Sequence, residues 1–173
     1  MADEGAQSWM YWQYKYYNDI TTCTPEGEAL FHTNGTVCES KLRALSRTYP
    51  MAVAGAIVNF VFDTETAVFT LSYIPLAEIS ASESDALTTE IYFNAQLFYP
   101  TGANVELVVF SADKHEVDYD VYFSVTCSAV SGGGGIVRIL QTSSLPSNAS
   151  MSVEVTVLPC DNEHLVCLCQ QFA

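Results

Sequence analysis

The chain has 173 residues, enough for one ordinary domain or one domain with part of another, and 49% of them are hydrophobic, which excludes a disordered chain. A net charge of −14, from 20 acidic and 6 basic residues, excludes nucleic-acid partners and simple attraction to anionic lipid, and leaves neutral sugars or apolar contacts with neutral lipid. No apolar run approaches the roughly 20 residues of a membrane-spanning helix; "MAVAGAIVNFVF" at 51–62 is too short and contains Gly55 and Asn59.

In chain order, "SWMYWQYKYYND" comes first and packs two Trp and four Tyr into a dozen residues. With large residues at every position from 9 to 12, it reads as a strand buried on both faces, as in a barrel, or as a saccharide platform. The residues alone favour the core strand. A long loop rich in Thr, Gly, Pro and Asn follows, bracketed by Cys23 and Cys38. A disulfide between them would close about 15 residues and stabilise by roughly 3 kcal/mol. Only His32 lies between the two, so a metal site there is poorly supported.

The segment "SKLRALSRTYP" carries a short helical signal in Leu42 and Leu45, with Pro50 expected to stop it. After Gly55 the period changes to two. "AIVNFVFD" and "TAVFTLSYI" flank "DTET" as a hairpin, and "TTEIYFNAQLFYP", "NVELVVFS", "VDYDVYFSVTC", "IVRILQ" and "SVEVTVLPC" continue the pattern. In "EVDYDVYFSV", Val117, Tyr119, Val121 and Phe123 would share one strand face, and Asp118 and Asp120 the other. "SGGGG" reads as a connection between strands, since no phosphate-loop Lys follows it. Some seven strands separated by turns predict a β-sandwich.

Six cysteines and two glycosylation sequons, "NGT" at Asn34 and "NAS" at Asn148, point to an oxidising, extracellular history. The opening "MADEGAQSW" lacks the basic and apolar regions of a signal peptide, so the signal is expected upstream of this chain. Near the C-terminus, Cys160, His164, Cys167 and Cys169 could be read as zinc ligands, but the spacing is unusual and disulfides are the better reading. Two bridges drawn from Cys127, Cys160, Cys167 and Cys169 are expected, with the pairing open among three possibilities. No metal or other cofactor is expected.

A glycosidase needs two carboxylates about 5 Å apart, if retaining, across one bond. Asp3, Glu4, Glu26, Glu28, Asp118 and Asp120 are available, but none is placed against a partner. There is no Gly-x-Ser-x-Gly, and no nucleophile lies beside the three His residues. No catalytic residue is assigned.

"SWMYWQYK", a Cys-flanked loop, "LRALSRTYPMAVAG" and then β-strands together resemble the C-terminal part of endoglycoceramidases, members of glycoside hydrolase family 5 that cleave between glycan and ceramide. The resemblance spans nearly the whole chain in the right order and is most specific at these two motifs. It implies that residues 8–15 form the eighth strand of a (β/α)8 barrel, and that residues 45–55 end the barrel and lead into a C-terminal sandwich. It also implies that Trp12 lines the sugar site, with Gln13 and Lys15 just beyond it as further substrate-binding residues, at the strand ends where such barrels carry their chemistry. The family's acid/base and nucleophile Glu residues would lie upstream of residue 8; Glu4 matches the end of a preceding helix.

The expected fold is therefore mainly β: an antiparallel β-sandwich of about seven to eight strands (53–173), preceded by a barrel remnant of strand, loop and helix (1–52). The expected function is that of a C-terminal piece of an endoglycoceramidase-like hydrolase, inactive alone. The alternative is a non-catalytic module that binds carbohydrate or glycolipid, with Tyr92, Phe98 and Tyr99 expected as exposed aromatics, or that supports the barrel. Partners are a glycosphingolipid or other glycan through the parent enzyme, and the upstream barrel residues. No nucleic acid and no transmembrane segment are expected. The expected location is extracellular or lysosomal.

Overall fold

The computed structural model describes residues 10–11, 14, 28–76, 87–145, 151–160 and 167–169. Its described strands form two antiparallel sheets. Strands β1 (Tyr49–Ala52), β4 (Thr88–Asn94), β8 (Gly134–Gln141) and β7 (Phe123–Val130) make one, in the order β1-β4-β8-β7. The other has the order β2-β3-β9-β5-β6, from β2 (Gly55–Phe62), β3 (Phe69–Pro75), β9 (Ser152–Pro159), β5 (Ala103–Phe110) and β6 (Glu116–Val117). Helix α1 (Glu39–Leu45) precedes the sheets, and a single helical turn, α2 (Ala95–Phe98), follows β4. The expected sandwich is thus observed, with the short strands β1 and β6 added to the seven read from the sequence.

Alternation builds the core. Phe69, Leu71 and Tyr73 of β3 and Val153, Val155 and Val157 of β9 face inward from one sheet; Ile91 and Phe93 of β4 and Val137 and Ile139 of β8 meet them from the other. Burying each of these large side chains is worth about 1.5–3 kcal/mol. Two hydroxyl pairs thread through this apolar layer. Tyr73 hydrogen-bonds Thr89, whose Oγ1 accepts from the Ala54 amide at 3.0 Å, and Thr48 shares a 3.0 Å hydrogen bond with the Tyr99 hydroxyl. Burial pushes both tyrosines up to about 12, with the hydrogen bonds pulling weakly the other way.

Three of the four sheet edges are short or interrupted, which discourages pairing with another chain, while β7 is a full-length edge. β6 has two residues, β2 carries a register shift between Ile57 and Asn59, and β1 contains Pro50. Pro50 is therefore a strand residue opposite Ile91, not the helix stop. Helix α1 ends earlier, at Leu45, and the Ser46 amide closes it on the Leu42 carbonyl at 2.8 Å. Thereafter Arg47 and Thr48 hold the extended chain against the sandwich.

Two further readings are corrected. The continuous strand expected over 116–125 is broken, because the Asp118 carboxylate accepts from the Asp120 amide at 3.1 Å and a 3-10 turn (Tyr119–Val121) replaces the ladder. Val121 is consequently exposed rather than sharing an inner face with Phe123. After β4, the Asn94 side chain accepts from the Leu97 amide at 3.0 Å and caps α2, which turns Phe98 and Tyr99 into the core.

Two disulfides form, Cys127–Cys169 and Cys160–Cys167. Cys169 adds to β5 through reciprocal hydrogen bonds with Ala103 of 3.2 and 3.0 Å, so its bond to Cys127 on β7 ties one sheet to the other. Gly102 at φ +106 permits this close approach, since a Cβ there would lie 2.7 Å from the Cys169 carbonyl oxygen.

Candidate functional site

The first functional region is the junction through which the chain enters the sandwich. Arg43 donates to the Thr64 carbonyl at 3.2 Å and its guanidinium lies 4.7 Å from the centre of the Phe98 ring. Arg47 donates to the Phe62 carbonyl at 2.9 Å and sits 5.5 Å from the Phe62 ring. Phe62 and Phe98 meet edge to face at 5.0 Å, so two of the chain's six basic residues clamp α1 and its exit onto one aromatic pair. Upstream of α1, Phe31 and Val37 pair across a turn in which Asn34 Oδ1 accepts from the Thr36 amide at 3.0 Å and the Thr36 hydroxyl at 2.7 Å. Asn34 is exposed there.

The second region is the outer face of the four-stranded sheet. Tyr49 on β1 stands opposite Tyr92 on β4, with ring centres 5.4 Å apart and planes tilted by 40°. Two residues back along the same face of β4, Glu90 Oε1 accepts from Arg138 Nε at 2.7 Å, across the β4–β8 register. Arg138 Nη1 also donates to Ser128 Oγ on β7. An open depression of about 330 Å³ adjoins this pair, lined by Ala52, Thr88, Glu90 and Arg138. Burial, and then the neighbouring Tyr49, raises Tyr92 above the usual phenol range.

Of the residues singled out from the sequence, Trp12, Gln13, Lys15, Cys23 and Asn148 lie outside the described residues, as do Asp3, Glu4, Glu26 and His164. The Cys23–Cys38 bridge therefore stays an expectation; Cys38 itself is buried at the start of α1. Of the carboxylates considered, Glu28, Asp118 and Asp120 are exposed and do not converge on one point of the fold. Three of the four zinc-like residues at the C-terminus are in disulfides, which removes their thiolates. Among the described residues no cluster of His, Cys, Asp and Glu could hold a metal ion.

Of the three aromatics proposed to be exposed, only Tyr92 reaches the surface; Phe98 and Tyr99 are core residues. Tyr49, Glu90 and Arg138 were not singled out from the sequence. The available signal was the two-residue spacing of Glu90 and Tyr92 in "TTEIYF", which puts them on one face once the strand is accepted.

The described residues thus form a disulfide-tied sandwich of two antiparallel sheets, entered through a docked helix. The model of the glycoside hydrolase family 5 C-terminal domain matches residues 47–155, and the chain belongs to that family. An endoglycoceramidase of Hydra vulgaris is 33% identical over 124 residues, covering 70% of this chain and 22% of that protein. One of Cyanea nozakii is 33% identical over 108 residues, covering 61% and 20% respectively. The chain thus spans about a fifth of the length of these curated relatives. A crystal structure of Cryptococcus neoformans sterylglucosidase 1 overlaps 68% of this chain and 14% of its own, at 16% identity and a TM-score of 0.39, a likeness too distant to add to the assignment.

Proposed function

We propose that this chain is the C-terminal part of an endoglycoceramidase-like glycoside hydrolase that releases glycan from ceramide. The observation that carries this reading is the 33% identity to the Hydra vulgaris endoglycoceramidase across 70% of the chain. In the proposed enzyme, residues 8–15 are the last barrel strand, and Trp12, Gln13 and Lys15 border the sugar beside the scissile bond. Hydrolysis proceeds with retention through two Glu carboxylates about 5 Å apart, both supplied upstream of residue 8. The α1 clamp fits this reading, because Arg43 and Arg47 give the chain leaving a barrel a fixed seat on the sandwich.

The test is turnover of a fluorescent glycolipid by the purified chain, which is expected to show none. Turnover would contradict the proposal, because this chain has no assigned acid/base or nucleophile.

A second reading, that the sandwich itself contacts glycan, is favoured by the pair of exposed Tyr49 and half-buried Tyr92. For location, the two disulfides are compatible with an extracellular or lysosomal setting, and no helix among the described residues is long and apolar enough to cross a membrane. Asn34 is proposed to carry N-linked glycan on its exposed turn, and Asn148 a second.

A further inference from the structure

We infer that the outer face of the four-stranded sheet holds a binding subsite for a neutral pyranose sugar, built by Tyr49, Tyr92, Glu90 and Arg138. The inference deepens the second reading above and is independent of catalysis. It begins with Gly134. A Cβ at that position would lie 2.6 Å from Tyr92 Cε2 and 2.9 Å from its hydroxyl oxygen. The Tyr92 ring therefore leans over the β8 backbone, and the missing side chain gives it that seat. The ring is held against the sheet by this edge contact and Tyr92 stays half-buried, so part of it remains open to a ligand. Tyr49, 45% exposed and tilted by 40° to Tyr92, stands beside it and extends the aromatic surface. Aromatic faces of this kind suit the axial C–H faces of a sugar ring, which are apolar although the ring's rim is polar.

The polar part lies one pleat away. Glu90 and Arg138 satisfy each other through Oε1 and Nε, and Ser128 takes Nη1. Among the described residues this leaves Glu90 Oε2 as an unused acceptor and Arg138 Nη2 as an unused donor group. The two side chains remain 29% and 39% exposed beside the depression. An acceptor and a donor side by side match adjacent sugar hydroxyls, each of which can donate and accept. The depression of about 330 Å³ is lined by Ala52, Thr88, Glu90 and Arg138, so it adjoins the polar pair rather than the tyrosines, and it lies at the small end of the roughly 300–1,000 Å³ range of small-molecule sites.

Charge selects among sugars. The Arg138 charge is already compensated by Glu90, and the chain as a whole carries −14, so an acidic sugar gains nothing here and is repelled at longer range. A neutral hexopyranose is the ligand this face fits.

The test is a titration of the 173-residue chain with lactose, a neutral β-linked disaccharide, followed residue by residue by NMR. The expected result is saturable shifts at residues 49, 90, 92 and 138. Tyr92→Ala should weaken binding by about tenfold, on the scale of one lost aromatic contact, while Tyr92→Phe retains it. Tyr49→Ala, on an exposed edge strand, provides a second variant that should weaken binding with its melting temperature unchanged. No saturable response from the unmodified chain would overturn the inference together with the glycan-contact reading. Saturable shifts elsewhere, or binding indifferent to both Tyr→Ala variants, would overturn the subsite and leave that reading standing. Tighter binding of sialyl-lactose than of lactose would overturn the assignment to neutral sugars.

Discussion

The two faces of the four-stranded sheet use one device for two purposes. On the inner face, Phe93 lies against Gly135, where a Cβ would come within 2.2 Å of the ring. On the outer face, Tyr92 lies against Gly134 in the same way. Phe93 is enclosed by the opposite sheet and meets Tyr99 edge to face at 5.2 Å. Tyr92 is half-buried, with Tyr49 beside it. Adjacent glycines in one strand thus seat two aromatic rings, one for packing and one for presentation. A ring seated on the backbone yet left partly open indicates a ligand more strongly than exposure alone. The edge of the other sheet provides the contrast, since Ile57, Val58 and Ile74 are exposed there without a seated ring or an organised polar pair.

The largest effect expected concerns what holds the inner face together. Replacing Cys127 and Cys169 by Ser removes a bridge between residues 42 apart, worth about 4 kcal/mol in the chain-entropy model. Denaturant unfolding should show that loss, and a loss below about 1 kcal/mol would mean that the bond adds little to the junction of the sheets. Next, Gly135→Ala should cost about 1–3 kcal/mol by overpacking Phe93, read as a lower denaturation midpoint.

Titration separates the faces again. Tyr73 and Tyr99 are held at about 12 against the ordinary value of 10.0, so their neutral forms are favoured by folding. The stability they contribute is complete below about pH 10 and is lost as pH rises through about 12, where each must ionise inside the core. Phenolate absorbance should show the exposed tyrosines ionising before unfolding and these two only with it. If Tyr73 and Tyr99 ionised in the folded chain near pH 10, the enclosed inner layer would be wrongly described. The smallest effect on stability is expected for Gly134→Ala, about 0.5–1 kcal/mol, because the Tyr92 ring can swing aside while Val130 Cγ2, 2.9 Å from such a Cβ, must shift slightly. Lactose affinity should nevertheless fall, since the ring loses its seat. A Gly134→Ala variant as unstable as Gly135→Ala would erase the distinction between the two faces.

Much of the sandwich was legible because alternation is a local signal. "FTLSYIP" and "SVEVTVLP" show their inward residues at every second position, and the structure places those residues in the core. The misreadings occur where a side chain competes with the backbone ladder. Asp118 captures the Asp120 amide and ends a strand, and Asn94 captures Leu97 and starts a helical turn. Pro50 misled because proline suits an edge strand as well as a helix end. Disulfide pairing was illegible because it depends on a distant contact, the docking of Cys169 beside Ala103. The outer-face site was half legible: Tyr92 was noticed, but Tyr49 and Arg138 join it only through the β1–β4 and β4–β8 registers. The expected roles of Trp12, Gln13 and Lys15, which lie outside the described residues, rest on the family resemblance.

The measurement that tests the central claim most directly is the sequence of the transcript upstream of the codon for Met1. The account predicts an open frame continuing into a signal peptide and a barrel that supplies a Glu on its fourth strand and another on its seventh. A stop codon in frame just before Met1 would contradict it, and would make this a free-standing sandwich whose function rests on binding.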